Sequence, residues 1–557
     1  MSDKKQSDVK QPGWLCKVWL WVKRWWLPIA ILLITSTGLA CALSIPQQVF
    51  ETPREPANDK SAPVLLAQSN LRLAFLYITG GAIAVVGLIE TFRKNNNEKL
   101  KNDQDKEKND REHLRQVRAD RRERYTKAVE QLGDEKAPIR MGGVYTLVGL
   151  VDEWLEDESI EKYEDRLKEG QVIINNLCAY IRSTFTLASH YDELSKDNPT
   201  ASYKDREQEF YTDKAEFKAE ADVRRGIIKE IHDRLQGPDK NTPGTWSDFE
   251  YDFSGSTFFY PIDLTNSYYA KPINFSGSTY KGGAYFTDST YQGRVDFSRS
   301  TYTGWADFRG SIYQALADFR GSTYADWAYF TGSTYQGGPD FRGSTYQGRV
   351  DFSGSTYTGW ADFRDSTYTD WAYFRDSTYT DWADFRGSTY QGGADFRNST
   401  YTDWAYFRDS TYQGRAYFSR SIFYGETYFS KDKYSNSSSC FTNRAPQFYD
   451  KTNRKNTLFG SHNNDFTVDI DKGYPINLNS EGLPLGCSFL TSEQKEYLTD
   501  KFQEIDETNN KLLEMKDPKE KAELSKKLQA LNEELHKWRE ETTTVKVEGT
   551  ALGEEDN

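Results

Sequence analysis

Cysteine and histidine are scarce, five of each in 557 residues. Cys16, Cys41, Cys178, Cys440 and Cys487 are scattered, with no CxxC pair and no disulfide-framework spacing. Nor is there an HExxH, a His/Cys cluster, a Walker loop, a GxGxxG or a nucleophile elbow. No metal, no cofactor and no catalytic residue is therefore expected, and the chain does not read as an enzyme. A surplus of cations is also missing. The net charge is −13, which argues against nucleic-acid binding through a basic surface.

Two stretches near the N-terminus lack charge altogether. Residues 27–45 ("LPIAILLITSTGLACALSI") and 73–89 ("LAFLYITGGAIAVVGLI") contain no ionisable group that is charged at neutral pH. At about 1.5 Å per residue each approaches the ~30 Å hydrocarbon thickness of a bilayer. A second apolar span so soon after the first favours two membrane helices over a cleaved signal peptide. Lys4, Lys5, Lys10, Lys17, Lys23 and Arg24 precede the first span, and Arg93 and Lys94 follow the second. The loop between them holds only Arg54 and Lys60. The positive-inside rule then expects a multi-pass plasma-membrane protein with both termini cytoplasmic.

The expected organisation is a tail (1–24), a first span (25–45), an extracytoplasmic loop (46–70) and a second span (71–92). A charged helix or linker (93–124) and an α-helical domain (125–240) come next. Helical spacing of apolar residues, broken at Gly133 and Pro138, sets the first helices of that domain, and "QVIINNLCAYIRSTF" gives another. Gly142-Gly143 implies a close helix approach, and Cys178 reads as core. The string "ERYTKAVEQLGDEKAPIRMGGVYTLVGL" with the later "LCAYIR" resembles the membrane-adjacent helical segment of bacterial membrane-anchored pentapeptide-repeat proteins.

From residue 248 to 434 one unit, A-D-F-R-G-S-T-Y-x-x-x, recurs seventeen times. Its first aromatic column is Phe253, Phe275, Phe286, Phe297, Phe308, Phe319, Phe330, Phe341, Phe352, Phe363, Phe374, Phe385, Phe396, Phe407, Phe418 and Phe429, with Leu264 in the series. Five positions after each comes a second ring, from Phe258 and Tyr269 to Phe423 and Tyr434. Such self-similarity marks a solenoid. Small residues two before each ring alternate with outward Asp and Arg, as in a strand. The pattern is similar to the pentapeptide-repeat family, in a variant whose unit is stretched by one position beyond two pentapeptides. That resemblance implies a right-handed, four-sided parallel β-helix.

A coil made of two units brings four rings inward with four small residues between them, whereas a coil of one unit would force two rings to compete for a narrow axis. Two units per coil is the expected geometry. Asp318, Asp340, Asp362 and Asp384 then stack beside Arg320, Arg342, Arg364, Arg386 and Arg408. Each exposed pair is expected to contribute at most about 1 kcal/mol. Trp305, Trp327, Trp360, Trp371, Trp382 and Trp404 occupy the extra position of the unit. Either they are corner residues without a role, or they form a stripe that binds a partner.

Residues 435–490 are expected as an irregular cap on the last coil. "TSEQ" opens a helical hairpin (491–542) with stripes Leu498, Phe502, Ile505, Leu512 and Leu524, Leu528, Leu531, Leu535, Trp538. It either folds back on the protein or makes an intermolecular coiled coil and a homo-oligomer. Residues 543–557 read as a disordered tail. The leading functional expectation is a membrane-anchored, non-enzymatic scaffold with a protein partner and no nucleic acid. The alternatives are a DNA-mimicking topoisomerase binder and, under reversed topology, an extracellular adhesive or ice-binding surface.

Overall fold

The computed structural model describes residues 14–50, 62–431, 437–515 and 517–544, in two compact units divided after Arg121. The expected N-terminal tail and C-terminal tail, and Tyr434 of the repeat, fall largely or wholly outside the described residues. In the first unit, α1 (Trp14–Val49) and most of α2 (Ala62–Leu132) are helices. Both contain stretches long and apolar enough to cross a membrane. Their leucines and isoleucines, among them Leu32, Leu33, Ile78 and Leu88, are exposed.

In the second unit, α3 (Ala137–Leu155), α4 (Tyr163–Arg182), a single-turn α5 (Tyr191–Leu194) and α6 (Glu207–Leu235) form the helical domain. Pro138 starts α3 at its first turn, where a missing N–H costs nothing. The close approach falls on Gly143 alone: a Cβ there would lie 2.7 Å from the Ala128 carbonyl, whereas Gly142 faces open space. This domain closes the N-terminal end of the solenoid. Phe259 of the first coil packs on Phe185 and Phe217, with ring centroids 5.2 and 4.9 Å away. Trp246 donates its indole N–H to Asp152, and Arg182 pairs with Asp252 on the first strand.

The solenoid has four walls of two-residue strands, all parallel. Each strand pairs with its equivalent two units further on: Ala383 with Ala405 on wall 1, Thr389 with Thr411 on wall 2, Ala394 with Ala416 on wall 3, Thr378 with Thr400 on wall 4. Two units therefore make one coil, as the ring count requires. In every unit but the last the chain turns a corner at positive φ, which favours Gly, Asp or Asn there, for example Gly343, Asp365 and Asn398, with Arg299 and Arg420 as exceptions. Pro339 sits in wall 1 without an N–H to donate, and the wall is reduced there to the single bridges of Asp340 with Asp318 and Asp362.

All sixteen phenylalanines of the first column are fully buried. Successive rings within a wall stack, as Phe363 on Phe385 at 5.0 Å, and rings from the opposite walls 1 and 3 meet edge to face, as Phe374 on Phe385 at 78°. Tyrosines enter from walls 2 and 4 with their ring planes nearly parallel, at separations such as 4.5 Å for Tyr280 on Tyr302 and 5.0 Å for Tyr346 on Tyr368. Serine is the small residue before them for a specific reason. Ser344 Oγ donates to the Phe319 carbonyl at 3.2 Å and accepts the Ser322 N–H at 3.3 Å, so one hydroxyl links neighbouring coils. The inward phenols differ. Among the described residues none of their oxygens, from Tyr269 through Tyr412, has a hydrogen-bond partner.

The expected cap is more regular than its sequence. Phe441, Phe448 and Phe459 stack under Tyr412, Phe418 and Phe423, so residues 440–466 wind a further coil with loops inserted. Helices α7 (Ser492–Glu514) and α8 (Pro518–Thr542) pack on each other, with Tyr497 stacked on Trp538 at 4.7 Å. The pair lies along wall 4, burying Leu498, Phe502, Leu528 and Leu535 with Ile422 and Leu458. Within this chain the hairpin folds back on the solenoid.

Opposite effects are expected from substitutions at two neighbouring inward positions. Ser344→Ala strands a buried carbonyl and N–H and should lower unfolding stability by about 1–3 kcal/mol, whereas Tyr346→Phe removes an unpartnered hydroxyl and should leave stability unchanged or raise it. Urea unfolding of both variants measures this. Burial holds phenols such as those of Tyr302, Tyr346 and Tyr357 well above the ordinary value of 10.0. A raised folded-state pKa contributes stability that is complete below the unfolded value and lost above it. Thermal midpoints should hold up to about pH 10 and then fall steeply.

Candidate interaction surface

Outward positions on walls 1 and 3 carry the chemistry of the surface. On wall 1, Asp296, Asp318, Asp340, Asp362 and Asp384 follow one another in register, then Tyr406 and Tyr428. On wall 3, aspartate and tyrosine alternate from Asp263 and Tyr285 to Asp395 and Tyr417. Alternation places carboxylates two coils apart, roughly 9–10 Å, instead of one.

The Oδ1 of each aspartate accepts the N–H two residues on, fixing the corner, as in Asp384 with Arg386 at 3.2 Å. Asp307, Asp362, Asp384 and Asp395 also take the following arginine side chain in a two-pronged bond: Arg386 Nε and Nη2 reach Asp384 at 2.8 and 2.6 Å, and Arg364 holds Asp362 at 2.8 and 2.7 Å. The exposed pairs expected from the sequence are thus half-buried ones. Asp384 is 1% exposed and Asp318 1%. Sunk below the guanidinium, these carboxylates are desolvated and crowded by the next aspartate. Burial, then the neighbouring carboxylate, hold Asp318 and Asp340 above the usual range. Burial also raises Asp384 despite its arginine, while the more exposed Arg386 is raised by the bond to Asp384. The burial of the acid outweighs its pairing.

The tryptophans fall on two lines. Trp305, Trp327 and Trp371 belong to the corner before wall 3; Trp360, Trp382 and Trp404 to the corner before wall 1. Trp371 folds over Gly393, where any Cβ would strike its ring, and stacks on Tyr373 and Tyr417. The other five are exposed, from 54% at Trp305 to 38% at Trp404. Trp382 and Trp404 stack at 5.2 Å and 16°, and Trp360 meets Trp382 edge-on at 6.3 Å.

Arginines lie over most of the outward rings. Guanidinium carbons stand 4.4–5.3 Å from the centroids of Trp327, Tyr329, Trp360, Tyr373, Tyr406, Tyr417 and Tyr428. These outward tyrosines escaped the sequence reading, although "AYF" in place of "ADF", or "TYF" at Tyr428, marks each of them. Wall 2 presents threonines, Thr279 to Thr411, and wall 4 is overlain by α8. A polar cleft of about 650 Å³ remains between α8 and wall 4, lined by Thr356, Thr378, Lys240 and His536 among others.

Residues 271–312, 336–378 and 380–422 match the family model of pentapeptide repeats, in nine copies. The solenoid is a pentapeptide-repeat domain. No curated protein and no solved structure matches the chain. Within the pentapeptide-repeat domain the match stops at 422, where the even spacing of units gives way to the loops of the last coil.

Because Asn274 already occupies the aspartate position of wall 1 and accepts the Ser276 N–H at 2.9 Å, Asp340→Asn should keep the corner and relieve the stacked charge. Unfolding stability at pH 7 is expected to rise by up to about 1 kcal/mol. The gain should vanish on acidification: a raised carboxyl favours the folded state once protonated, below its unfolded value near 3.9. Parallel urea titrations at pH 7 and pH 4 measure both.

Proposed function

We propose that this chain is a membrane-anchored, non-enzymatic scaffold, held at the cytoplasmic face by α1 and α2, whose pentapeptide-repeat domain offers walls 1 and 3 to protein partners. The observation that carries the reading is the pair of exposed ring-and-arginine columns, kept in register coil after coil by backbone ladders. Tryptophan, tyrosine and arginine are the side chains that dominate protein interfaces, and a rigid column loses little entropy when it is covered. The two helices long and apolar enough to cross a membrane support the anchoring. The cation asymmetry of the sequence supports the cytoplasmic side.

The topoisomerase alternative requires an open array of carboxylates resembling DNA phosphates. Here arginines neutralise most of the outward aspartates of walls 1 and 3, so that reading loses its main feature. The threonine column of wall 2 favours the adhesive alternative, which requires the opposite topology. A cysteine introduced near the C-terminus and challenged in intact cells with an impermeant maleimide separates the two topologies. The scaffold reading expects no labelling until the cells are lysed; labelling of intact cells sinks it. Crosslinking in the native membrane followed by mass spectrometry is expected to return a protein joined to walls 1 or 3.

A further inference from the structure

Three exposed tryptophans, Trp305, Trp382 and Trp404, break the rule that arginine covers the outward rings. On the wall 1 line, Arg364 lies over Trp360, four residues before it, at 5.1 Å. The same offset would place Arg386 over Trp382 and Arg408 over Trp404. Neither goes there. Tyr406 and Tyr428 replace aspartate in the last two evenly spaced coils of the wall, and they draw the cations away. Arg386 lies 5.0 Å from the Tyr406 centroid, and Arg408 lies 5.2 Å from Tyr406 and 4.4 Å from Tyr428. Among the described residues, Trp382 and Trp404 have no cation over them.

What borders them instead is negative. Asp381 and Asp403 immediately precede the two rings and accept their backbone N–H groups at 2.7 and 2.8 Å. In the next coil the register position after Trp404 is Glu426, whose carbonyl accepts the Ala405 N–H. The carboxyl of Asp506 on α7 is held above the usual range by burial and then by Asp381. Asp403 is raised likewise, by burial first, with Asp381 and Glu426 contributing. The carboxylates of this corner repel one another, and no ion pair in the described residues offsets Asp381, Asp403 or Asp506. By contrast Trp305, the other exposed tryptophan without an arginine, follows Gly304 and not an acid.

We infer that the corner formed by Trp382 and Trp404 with Asp381 and Asp403 docks a basic, arginine-bearing segment of a partner protein. A guanidinium entering here takes the place that Arg364 takes over Trp360, with its plane against an indole and its N–H groups on the flanking carboxylates. Desolvated cation–π contact combined with a charge-assisted hydrogen bond makes arginine a better fit than lysine, whose compact ammonium forms neither planar contact. The inference rests on the scaffold reading above and specifies its partner.

The test uses the full chain in detergent micelles and a fluorescein-labelled octaarginine peptide, with octaglutamate as control, followed by anisotropy at 0.15 M salt. Octaarginine is expected to bind and octaglutamate not. Trp404→Leu and the double variant Asp381→Asn/Asp403→Asn should each weaken octaarginine about tenfold, while Trp305→Leu should not alter it. Tyr406→Asp keeps Trp382, Trp404, Asp381 and Asp403 but restores the repeat's aspartate and removes the ring that holds Arg386, which can then cover Trp382, so it should weaken binding as well. Thermal midpoints like that of the unaltered chain certify each variant as folded, and Tyr406→Asp carries the test if Trp404→Leu fails to fold. Absent binding overturns the proposal, and so does equal affinity in all folded variants, which would mean attraction by net charge only. A native crosslinked partner together with absent octaarginine binding sinks this corner alone; octaarginine binding without any native partner sinks the scaffold reading alone.

Discussion

Room for four side chains at the axis of each coil is the constraint on which the rest depends. A wall two residues wide has almost no strand to stabilise it, and an isolated pair of such strands would not persist in water. What makes the ladders hold is that every coil repeats the ring positions of the last, so that stacked rings and backbone bonds reinforce each other over the whole length. The serine hydroxyls that bridge coils serve the same end, since they satisfy carbonyls and N–H groups that the short strands leave over. Against this background the unpartnered phenols are a tolerated cost. Tyrosine fills the same volume as phenylalanine, and its stacking outweighs an idle hydroxyl.

The surface inherits its order from that interior. Because inward positions are fixed, outward ones recur at one-coil spacing, and any choice between aspartate and tyrosine is read out as a column. Stacking carboxylates directly, as on wall 1, brings burial and mutual repulsion that arginine only partly offsets. Alternating them with tyrosine, as on wall 3, avoids the repulsion and gives the arginines rings to cover. The uncovered tryptophans at the end of wall 1 arise where one pattern changes into the other.

Much of this is legible in the sequence, for a physical reason: an exact period allows few geometries, and the bulk of two rings per unit rules out the shorter coil. The two-unit coil and the buried phenylalanine column follow from that alone. Three features do not. The extra coil beyond residue 434 is hidden because Phe441, Phe448 and Phe459 keep their places while insertions destroy the spacing. The seat of the helical hairpin on wall 4 stays open because leucine stripes such as that of α8 state that a face is apolar, not what covers it. The arginine arrangement over Tyr406 and Tyr428 requires knowing which rings become neighbours across coils.

Both ends of the solenoid are closed by unlike structures, the helical domain at one and a looped coil with its hairpin at the other. The number of units between them sets a fixed distance. Duplicating a pair of units would lengthen the span by one ladder spacing, about 4.8 Å, and keep every wall aligned. Duplicating a single unit would turn the distal end by half a revolution and exchange walls 1 and 3. The domain is thus a ruler whose graduations also set angle: gene duplication can move the hairpin outward along the axis, or swing it to the opposite side, without altering either terminus.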